Sequence, residues 1–182
     1  MITSTSSSQV KHVVNLQKKA KLRKEEKQFV VEGVKMVSEA PADRLVKVYV
    51  SETFKADNEE FLERMNYDSI GKDVLEIVTD NVFMRMADTQ TPQGIMAVVR
   101  MSDTDLEGIL SDKRNPLLLI IENLQDPGNL GTIVRMAEGA GVTGIIMSSN
   151  TVDIYNPKTI RSTMGSLLFG MRGAEHLLDK HL

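Results

Sequence analysis

A turn-forming segment and a single arginine lie between two apolar runs in the second half of this 182-residue chain. Asp126-Pro127-Gly128-Asn129 has the residue types of a turn, and we expect Asn129 to cap the helix that follows. Arg135 lies about two turns into that helix. Because a guanidinium can grip a phosphate through two parallel hydrogen bonds, Arg135 is a candidate phosphate-binding residue. The alternative is a surface arginine paired with Glu138, three residues further along.

The elements around this segment predict a βαβ unit. Residues 117–121 are a short apolar run, typical of a strand buried on both faces, and residues 145–147 predict the next strand. An apolar stripe between them predicts the helix, which Gly139 and Gly141 end. The two strands should be parallel, and ligands of open α/β sheets bind at the carboxyl ends of such strands. Residues 126–131 lie at one such end.

The letters of a dinucleotide-binding fingerprint occur at Gly139-Ala140-Gly141-Val142-Thr143-Gly144. That fingerprint follows a strand and opens a helix. Here the glycines follow a helix and lead into a strand. We therefore interpret them as a helix end and turn, not as a nucleotide loop.

Four segments resemble the SpoU (TrmH-type) family of RNA 2′-O-ribose methyltransferases, of the SPOUT superfamily. Residues 126–142 closely resemble its first signature motif, through Asp126-Pro127-Gly128-Asn129, Gly131, Arg135, Ala137-Glu138 and Gly141-Val142. Asn156-Pro157-Lys158, Arg161-Ser162 and Met164-Gly165-Ser166 are similar to a later family segment. A third segment is similar to the start of the family's substrate-binding domain, through Lys11, Leu16, Lys18, Lys19, Arg23, Phe29, Glu32 and Gly33. Residues 91–99 are similar to the last strand of that domain.

The resemblance implies an α/β fold: a small α/β domain that binds RNA, then the first half of a parallel-sheet SPOUT-type methyltransferase domain, knotted in the full family. We predict the substrate-binding domain at residues 1–103, a linker at 104–115 and the partial methyltransferase domain at 116–182. The implied reaction transfers a methyl group from S-adenosylmethionine to a ribose 2′-hydroxyl of RNA, either rRNA or tRNA. A homodimer is also implied.

Two further family motifs, which tie the knot and form the methyl-donor pocket, are not found before Leu182. The chain is therefore expected to be truncated relative to the family, and no residue is assigned to cofactor binding. The family's essential arginine and asparagine correspond to Arg135 and Asn129. Because a guanidinium offers only donors and no acceptor, Arg135 is a poor base. The resemblance implies that it binds the substrate phosphate and polarises the hydroxyl, while Asn129 holds the turn and Arg161 provides a second phosphate contact.

Positive charge is concentrated near the amino terminus. The formal net charge is −3, yet residues 11–27 hold seven Lys and Arg against Glu25 and Glu26, a local balance of +5. Such a stripe is either a phosphate track or a solvated helix face. With the resemblance, it makes Lys11, Lys18, Lys19 and Arg23 candidate RNA-binding residues.

Composition excludes several other classes. The chain has no cysteine, which excludes disulfides and Cys-ligated metals and fits a reducing compartment. The three histidines are scattered, so we expect no metal site. No apolar run approaches the roughly 20 residues that span a bilayer, and no signal-peptide pattern is present. We expect a cytoplasmic protein without a membrane partner.

The first 110 residues alternate between helix and strand patterns, which predicts an α/β sandwich. Predicted helices lie at 10–24, 33–39, 59–65, 81–86 and 106–110, and predicted strands at 29–31, 45–50, 75–78 and 95–101.

Three functional hypotheses follow. The chain is an RNA methyltransferase, a non-catalytic RNA-binding remnant without a methyl-donor pocket, or a nonfunctional fragment. The last would expose an unpaired strand edge and apolar surface, and would aggregate or dimerise.

Overall fold

The computed structural model describes residues 1–65, 74–102, 110, 116–168 and, for the backbone alone, 172–175. The chain divides into two compact units, Met1–Met101 (the first unit) and Ser102–Leu182 (the second unit). Apart from residue 110, the predicted linker from residue 104 to residue 115 lies outside the described residues, as does most of the predicted helix at 106–110. The predicted domain boundaries therefore stay predictions.

The first unit is a four-stranded mixed sheet with helices on it. Its strands occur in the order β1-β4-β2-β3, with β4 antiparallel to β1 and β2, and β2 parallel to β3. The strands are β1 (Gln28–Glu32), β2 (Leu45–Ser51), β3 (Leu75–Val78) and β4 (Ile95–Arg100). The helices are α1 (Ser8–Lys18), α2 (Ala20–Glu26), α3 (Val34–Glu39), α4 (Glu52–Asp57), α5 (Glu59–Met65) and α6 (Asp80–Met86), with a 3-10 turn at Ala42–Arg44.

The core of the first unit lies between the sheet and helices α1 and α6. Val13 and Leu16 of α1 and Val82 of α6 are fully buried against strand residues such as Met96 and Val98. Strand β4 is buried at every position from Ile95 to Val99, which is expected of a central strand with both faces covered. The predicted α/β architecture is confirmed.

Two short helices replace the single helix predicted at residues 10–24. The chain leaves helical geometry at Lys19, with φ −117° and ψ 104°. Arg23 of α2 turns back toward α1, and its Nη1 donates to the carbonyl oxygens of Leu16 and Gln17 at 2.6 and 2.9 Å. The guanidinium thus satisfies carbonyl groups that the end of α1 leaves open, and this stabilises the break. Helix α4 was not predicted, although Ser51 supplies a capping side chain that accepts from the Phe54 N–H.

The second unit is built on a three-stranded parallel sheet in the order β5-β6-β7. Its elements are β5 (Leu118–Ile121), α7 (Pro127–Gly139), β6 (Gly144–Met147), α8 (Pro157–Thr163) and β7 (Arg172–Glu175). The predicted parallel βαβ unit is confirmed, and α8 and β7 extend it beyond the prediction. Gly139 ends α7, Gly141 has φ +76° and Gly144 opens β6, which confirms the helix end and turn.

The prediction that the first strand of this unit is buried on both faces is wrong. Ile121 is buried, but Leu118 and Leu119 are half-buried and Ile120 is 59% exposed. Within the described sheet β5 lies at an edge, and one of its faces is open. Strand β6 lies at the centre and is buried at all its positions.

Helices α7 and α8 approach closely at Gly131. A Cβ atom added to Gly131 would lie 2.3 Å from the Cβ of Ser162 and 2.8 Å from the carbonyl oxygen of Thr159. Because part of this contact is with backbone, a rotamer change cannot relieve it. Gly131 therefore sets the distance between the two helices.

No helix within the described ranges has both the length and the apolar character needed to cross a membrane.

Gly131→Ala should destabilise the second unit by about 1–3 kcal/mol, because the helices must separate to admit the methyl group. Gly139→Ala is the matched control, since an added Cβ meets nothing within 4 Å there. That control should be neutral or stabilising by up to about 1 kcal/mol. Urea denaturation of the two variants measures the difference, and equal stabilities would contradict the close contact.

Candidate functional site

Asp126, and not Asn129, caps helix α7. The Oδ1 of Asp126 accepts from the backbone N–H of Asn129 at 2.7 Å, and Pro127 occupies the first helical position. Proline suits that position because its missing N–H would have no partner inside the helix. The predicted capping role of Asn129 is therefore wrong, since the helix begins two residues before it. Its side chain is exposed and has no hydrogen-bond partner among the described residues.

Arg135 is exposed on α7 and forms no hydrogen bond or ion pair with any described residue. The alternative pairing with Glu138 is not formed. Instead, Glu138 Oε2 accepts from the hydroxyl of Ser166 at 3.0 Å, and Ser166 itself is buried. Ser166 thus holds the nearest acid on this helix against the segment after α8. The guanidinium of Arg135 remains available to a ligand in solvent.

The amino-terminal end of α7 does not favour anions. Its cap is the Asp126 carboxylate, which already satisfies an N–H group there and adds negative charge. Arg135 lies eight residues after Pro127, about 12 Å along the helix axis. A phosphate should therefore bind at Arg135 and not at the helix end. Asn129 and Arg135 point about 120° apart around the helix, so the structure does not bring them to one atom of a substrate.

The loops that follow β5 and β6 are hydrogen-bonded to each other at the carboxyl ends of these strands. The Ser148 hydroxyl accepts from the Asn123 N–H at 3.0 Å and lies 3.1 Å from the Thr151 hydroxyl. The backbone of Val152 donates to the Leu124 carbonyl at 2.8 Å. Gln125 Nε2 donates to the carbonyl of Asn150. Sequence analysis did not identify this network, because it joins residues about 25 positions apart.

This network bears on whether the described residues could hold S-adenosylmethionine. Several of its hydroxyl and amide groups already bond to one another. These contacts hold the two loops together and do not assign any described residue to a methyl-donor site. Cofactor-binding residues remain unassigned, as the sequence also left them.

Arg161 lies in the last turn of α8, the helix packed against α7. Its side chain is half-buried and already interacts within the protein. A phosphate contact by Arg161 stays a prediction.

The four basic residues predicted to bind RNA separate into two groups. Lys11, Lys18 and Lys19 are exposed, and their side chains form no ion pair or hydrogen bond within the part of the chain described. Arg23 is 3% exposed, and its guanidinium is used by the α1 carbonyls. We therefore remove Arg23 from the RNA-binding set, because a buried side chain with a structural role cannot reach a phosphate in this conformation.

No cluster of three or more His, Asp or Glu side chains that could hold a metal ion occurs within the described residues.

The fold and the sequence both match known methyltransferases. An MRM3-like substrate-binding domain is recognised at residues 7–97, and the SpoU rRNA methylase family at residues 116–172. The chain is 32% identical to the human mitochondrial rRNA methyltransferase 3, over 85% of this chain and 36% of that protein. It is 37% identical to a 23S rRNA guanosine 2′-O-methyltransferase, RlmP, of Bacillus subtilis, over 50% of this chain and 34% of that protein.

A solved structure resembles nearly the whole chain. The AdoMet-bound rRNA methyltransferase from Sinorhizobium meliloti superposes with a TM-score of 0.79 at 26% identity, covering 98% of this chain and 65% of its own. The fold is thus that of an RNA methyltransferase with a separate substrate-binding unit. This chain belongs to the SpoU rRNA methylase family. It spans about a third of the length of the two curated relatives named above.

Arg23→Ala should destabilise the first unit by about 1–3 kcal/mol, because two buried carbonyl groups lose a charged donor. Lys19→Ala is the control for charge and should change stability by less than about 0.5 kcal/mol. Chemical denaturation measures both. If Arg23→Ala left stability unchanged but weakened RNA binding, the structural assignment of Arg23 would be wrong.

Proposed function

We propose that this chain provides the RNA-binding and substrate-positioning parts of a SpoU-family RNA 2′-O-ribose methyltransferase. The relatives named above act on rRNA according to their names. We propose rRNA or tRNA as the substrate of this chain. S-adenosylmethionine is the methyl donor of the family, and an AdoMet-bound relative shares this fold. The observation that carries the proposal is the exposed, unpaired guanidinium of Arg135 on the helix that bears the family motif.

In the proposed mechanism, Arg135 binds a phosphate next to the target ribose. A guanidinium fixes such a phosphate through two parallel hydrogen bonds, and this positions the neighbouring 2′-hydroxyl. The positive charge also favours partial ionisation of that hydroxyl, and the bound phosphate assists loss of its proton. Arg135 itself does not accept this proton, because a guanidinium offers only donors and no acceptor.

RNA would be held at a second place by the first unit. The exposed Lys11, Lys18 and Lys19 add positive charge to a chain that is acidic overall. Contacts of this kind position an RNA backbone without reading its sequence. The two sites together would give RNA binding that weakens as salt is raised.

Arg135→Ala should lower the affinity for an rRNA fragment by about tenfold, since a charge-assisted contact is lost. The slope of log affinity against log salt should decrease by about one. Arg64→Ala, which removes an exposed arginine from α5, is the matched control and should retain the wild-type affinity. Fluorescence anisotropy at three salt concentrations measures both quantities. Equal losses for the two variants would mean a non-specific charge effect and would reject Arg135 as the phosphate site.

A non-catalytic RNA-binding role is the second candidate, and one observation favours it: the polar groups at the carboxyl ends of β5 and β6 bond to each other. Calorimetric titration of the folded chain with S-adenosylmethionine separates the two candidates. Binding in the micromolar range supports the methyltransferase, whereas a folded chain that binds RNA and no donor supports the RNA-binding role.

We also propose that the protein acts in the cytoplasm, which is supported only by the absence of cysteine. A further proposal is that it forms a homodimer. The second unit exposes Leu117, Ile120 and Met136, which are 51, 59 and 70% accessible. Such side chains are candidates for an interface. Light scattering should give twice the monomer mass. Ile120→Lys should lower that mass, while Met84→Lys, at an exposed position in the first unit, should not. A wild-type chain that scatters as a monomer contradicts the dimer, and large heterogeneous particles favour the nonfunctional fragment.

A further inference from the structure

A cavity of 340 Å³ lies in the first unit, and none of the described residues that line it belongs to α1 or α2. It opens beside the two inner strands of the sheet, where β2 ends and β4 begins, and there the Ser51 N–H donates to the carbonyl of Gly94 at 2.9 Å. Residues of α4 and α6 complete the rim. Its volume is at the lower end of the range for small-ligand pockets, which runs from about 300 to 1,000 Å³. A ligand the size of one nucleoside would fit this volume.

The apolar part of the cavity lining includes two aromatic rings. Phe54 and Phe83 line the cavity and are themselves buried, at 7 and 2% exposure. Met84 and Pro92 also line it, and Met84 is 55% exposed. A flat ring bound here would cover the exposed Met84 side chain. Polar residues make up about half of the lining, so the cavity offers both apolar contact and hydrogen-bonding groups.

The polar side chains of the cavity are mainly acceptors. Asp57 and Asp80 both line it, and among the described residues no lysine or arginine does. A hydrogen bond from the Thr53 hydroxyl at 2.6 Å lowers the pKa of the Asp80 carboxyl, so this group is ionised at neutral pH. Asp57 is exposed and has no partner among the residues described. Two carboxylates without a cation repel phosphate and favour a ligand that presents N–H groups.

Gln93 contributes one donor with a fixed orientation. Its Oε1 accepts from the Val34 N–H at 2.8 Å, so its amide NH₂ is left for a ligand. Gly33 makes this possible, since a Cβ there would lie 2.8 Å from the same oxygen. The cavity therefore combines carboxylate acceptors with one amide donor.

We propose that this cavity binds an unstacked guanine base of the RNA substrate. The Watson–Crick edge of guanine presents two adjacent N–H groups, at N1 and N2, and one acceptor, O6. A carboxylate can accept from the first two and the Gln93 amide can donate to the third. Adenine and cytosine each offer one amine beside ring acceptors, and uracil offers one N–H between two carbonyls. Unstacked bases read at this edge are the common mode of sequence-specific RNA recognition.

This inference rests on the proposed RNA substrate and adds base recognition to it. The test compares binding of four RNAs, 5′-UUGUU-3′ and the versions with inosine, adenosine or uridine at the centre. Inosine lacks only the N2 amine. We expect the guanosine RNA to bind about tenfold more tightly than the others, consistent with the loss of a hydrogen bond to a charged group. We expect it to shift the backbone amide NMR signals of Ser51 and Gly94.

Three variants complete the test. Asp57→Asn removes a carboxylate, and Gln93→Glu removes the amide donor while keeping an oxygen for the Val34 N–H. Asp57→Asn should lose the preference for guanosine over inosine, because the Asp57 carboxylate accepts from the N2 amine. Gln93→Glu should weaken binding of the guanosine and inosine RNAs about equally, because both bases carry O6. Asp43→Asn makes the same charge change in the 3-10 turn before β2, at the opposite end of that strand, and should keep the preference. The amide spectra report whether each variant is folded.

Equal binding of the four RNAs, binding of none, or signal changes confined to other parts of the chain would overturn the proposal. A second result would also overturn the proposal: the wild type binds the inosine and guanosine RNAs equally, and Asp57→Asn binds neither. The Asp57 carboxylate would then act through its charge alone and not by recognising the guanine edge. A failure of the proposed function gives a different result from a failure of this inference. If the proposed function is wrong, Arg135→Ala binds the rRNA fragment like the wild type, whatever base preference the pentamers show.

Discussion

The close approach of α7 to α8 at Gly131 is the constraint on which the arrangement of the second unit depends. With no Cβ at this position, the backbones can meet at distances that any other residue would prevent. Arg135 lies one turn beyond Gly131, and Glu138 lies one turn further. The contact therefore fixes how both charged side chains stand relative to the segment after α8. It also places Glu138 within reach of the Ser166 hydroxyl.

The cap of α7 and the acid three residues after Arg135 are both restrained by the fold itself. Asp126 is used as the cap of α7, and Glu138 is bonded to Ser166. An exposed arginine on a helix usually finds an acid three or four residues away, and such pairs stabilise the helix by only about 0.2–0.5 kcal/mol. Here the fold forgoes that small gain, and the guanidinium stays accessible. This is the arrangement expected of a residue that binds a ligand rather than one that stabilises its own helix.

The first unit uses charge in two opposite ways. Lysines on α1 and α2 provide exposed positive charge, whereas the cavity at the end of β2 is lined by two carboxylates and no cation. The lysines attract an RNA backbone, and the carboxylates of the cavity repel it. If both surfaces contact RNA, the lysines act on phosphates and the cavity acts on a base. Affinity and base selectivity would then depend on different residues of one small domain.

The sequence by itself determined the family, the parallel βαβ unit, most of the strands and Arg135 as the candidate phosphate-binding residue, because apolar periodicity and turn residues are local signals. It identified the glycines at residues 139–144 as a helix end for the same reason. The cap of α7 was also a local signal, because Asp126 followed by Pro127 at the first helical position indicates Asp126 and not Asn129. Only the tertiary structure decided that Arg23 is buried and that Ile120 is exposed. Those outcomes depend on partners elsewhere: Arg23 on the carbonyls at the end of α1, Ile120 on the edge position of β5. The hydrogen bonds between the β5 and β6 loops and the cavity beside Gly94 likewise join residues far apart in sequence, and no local pattern encodes such distances.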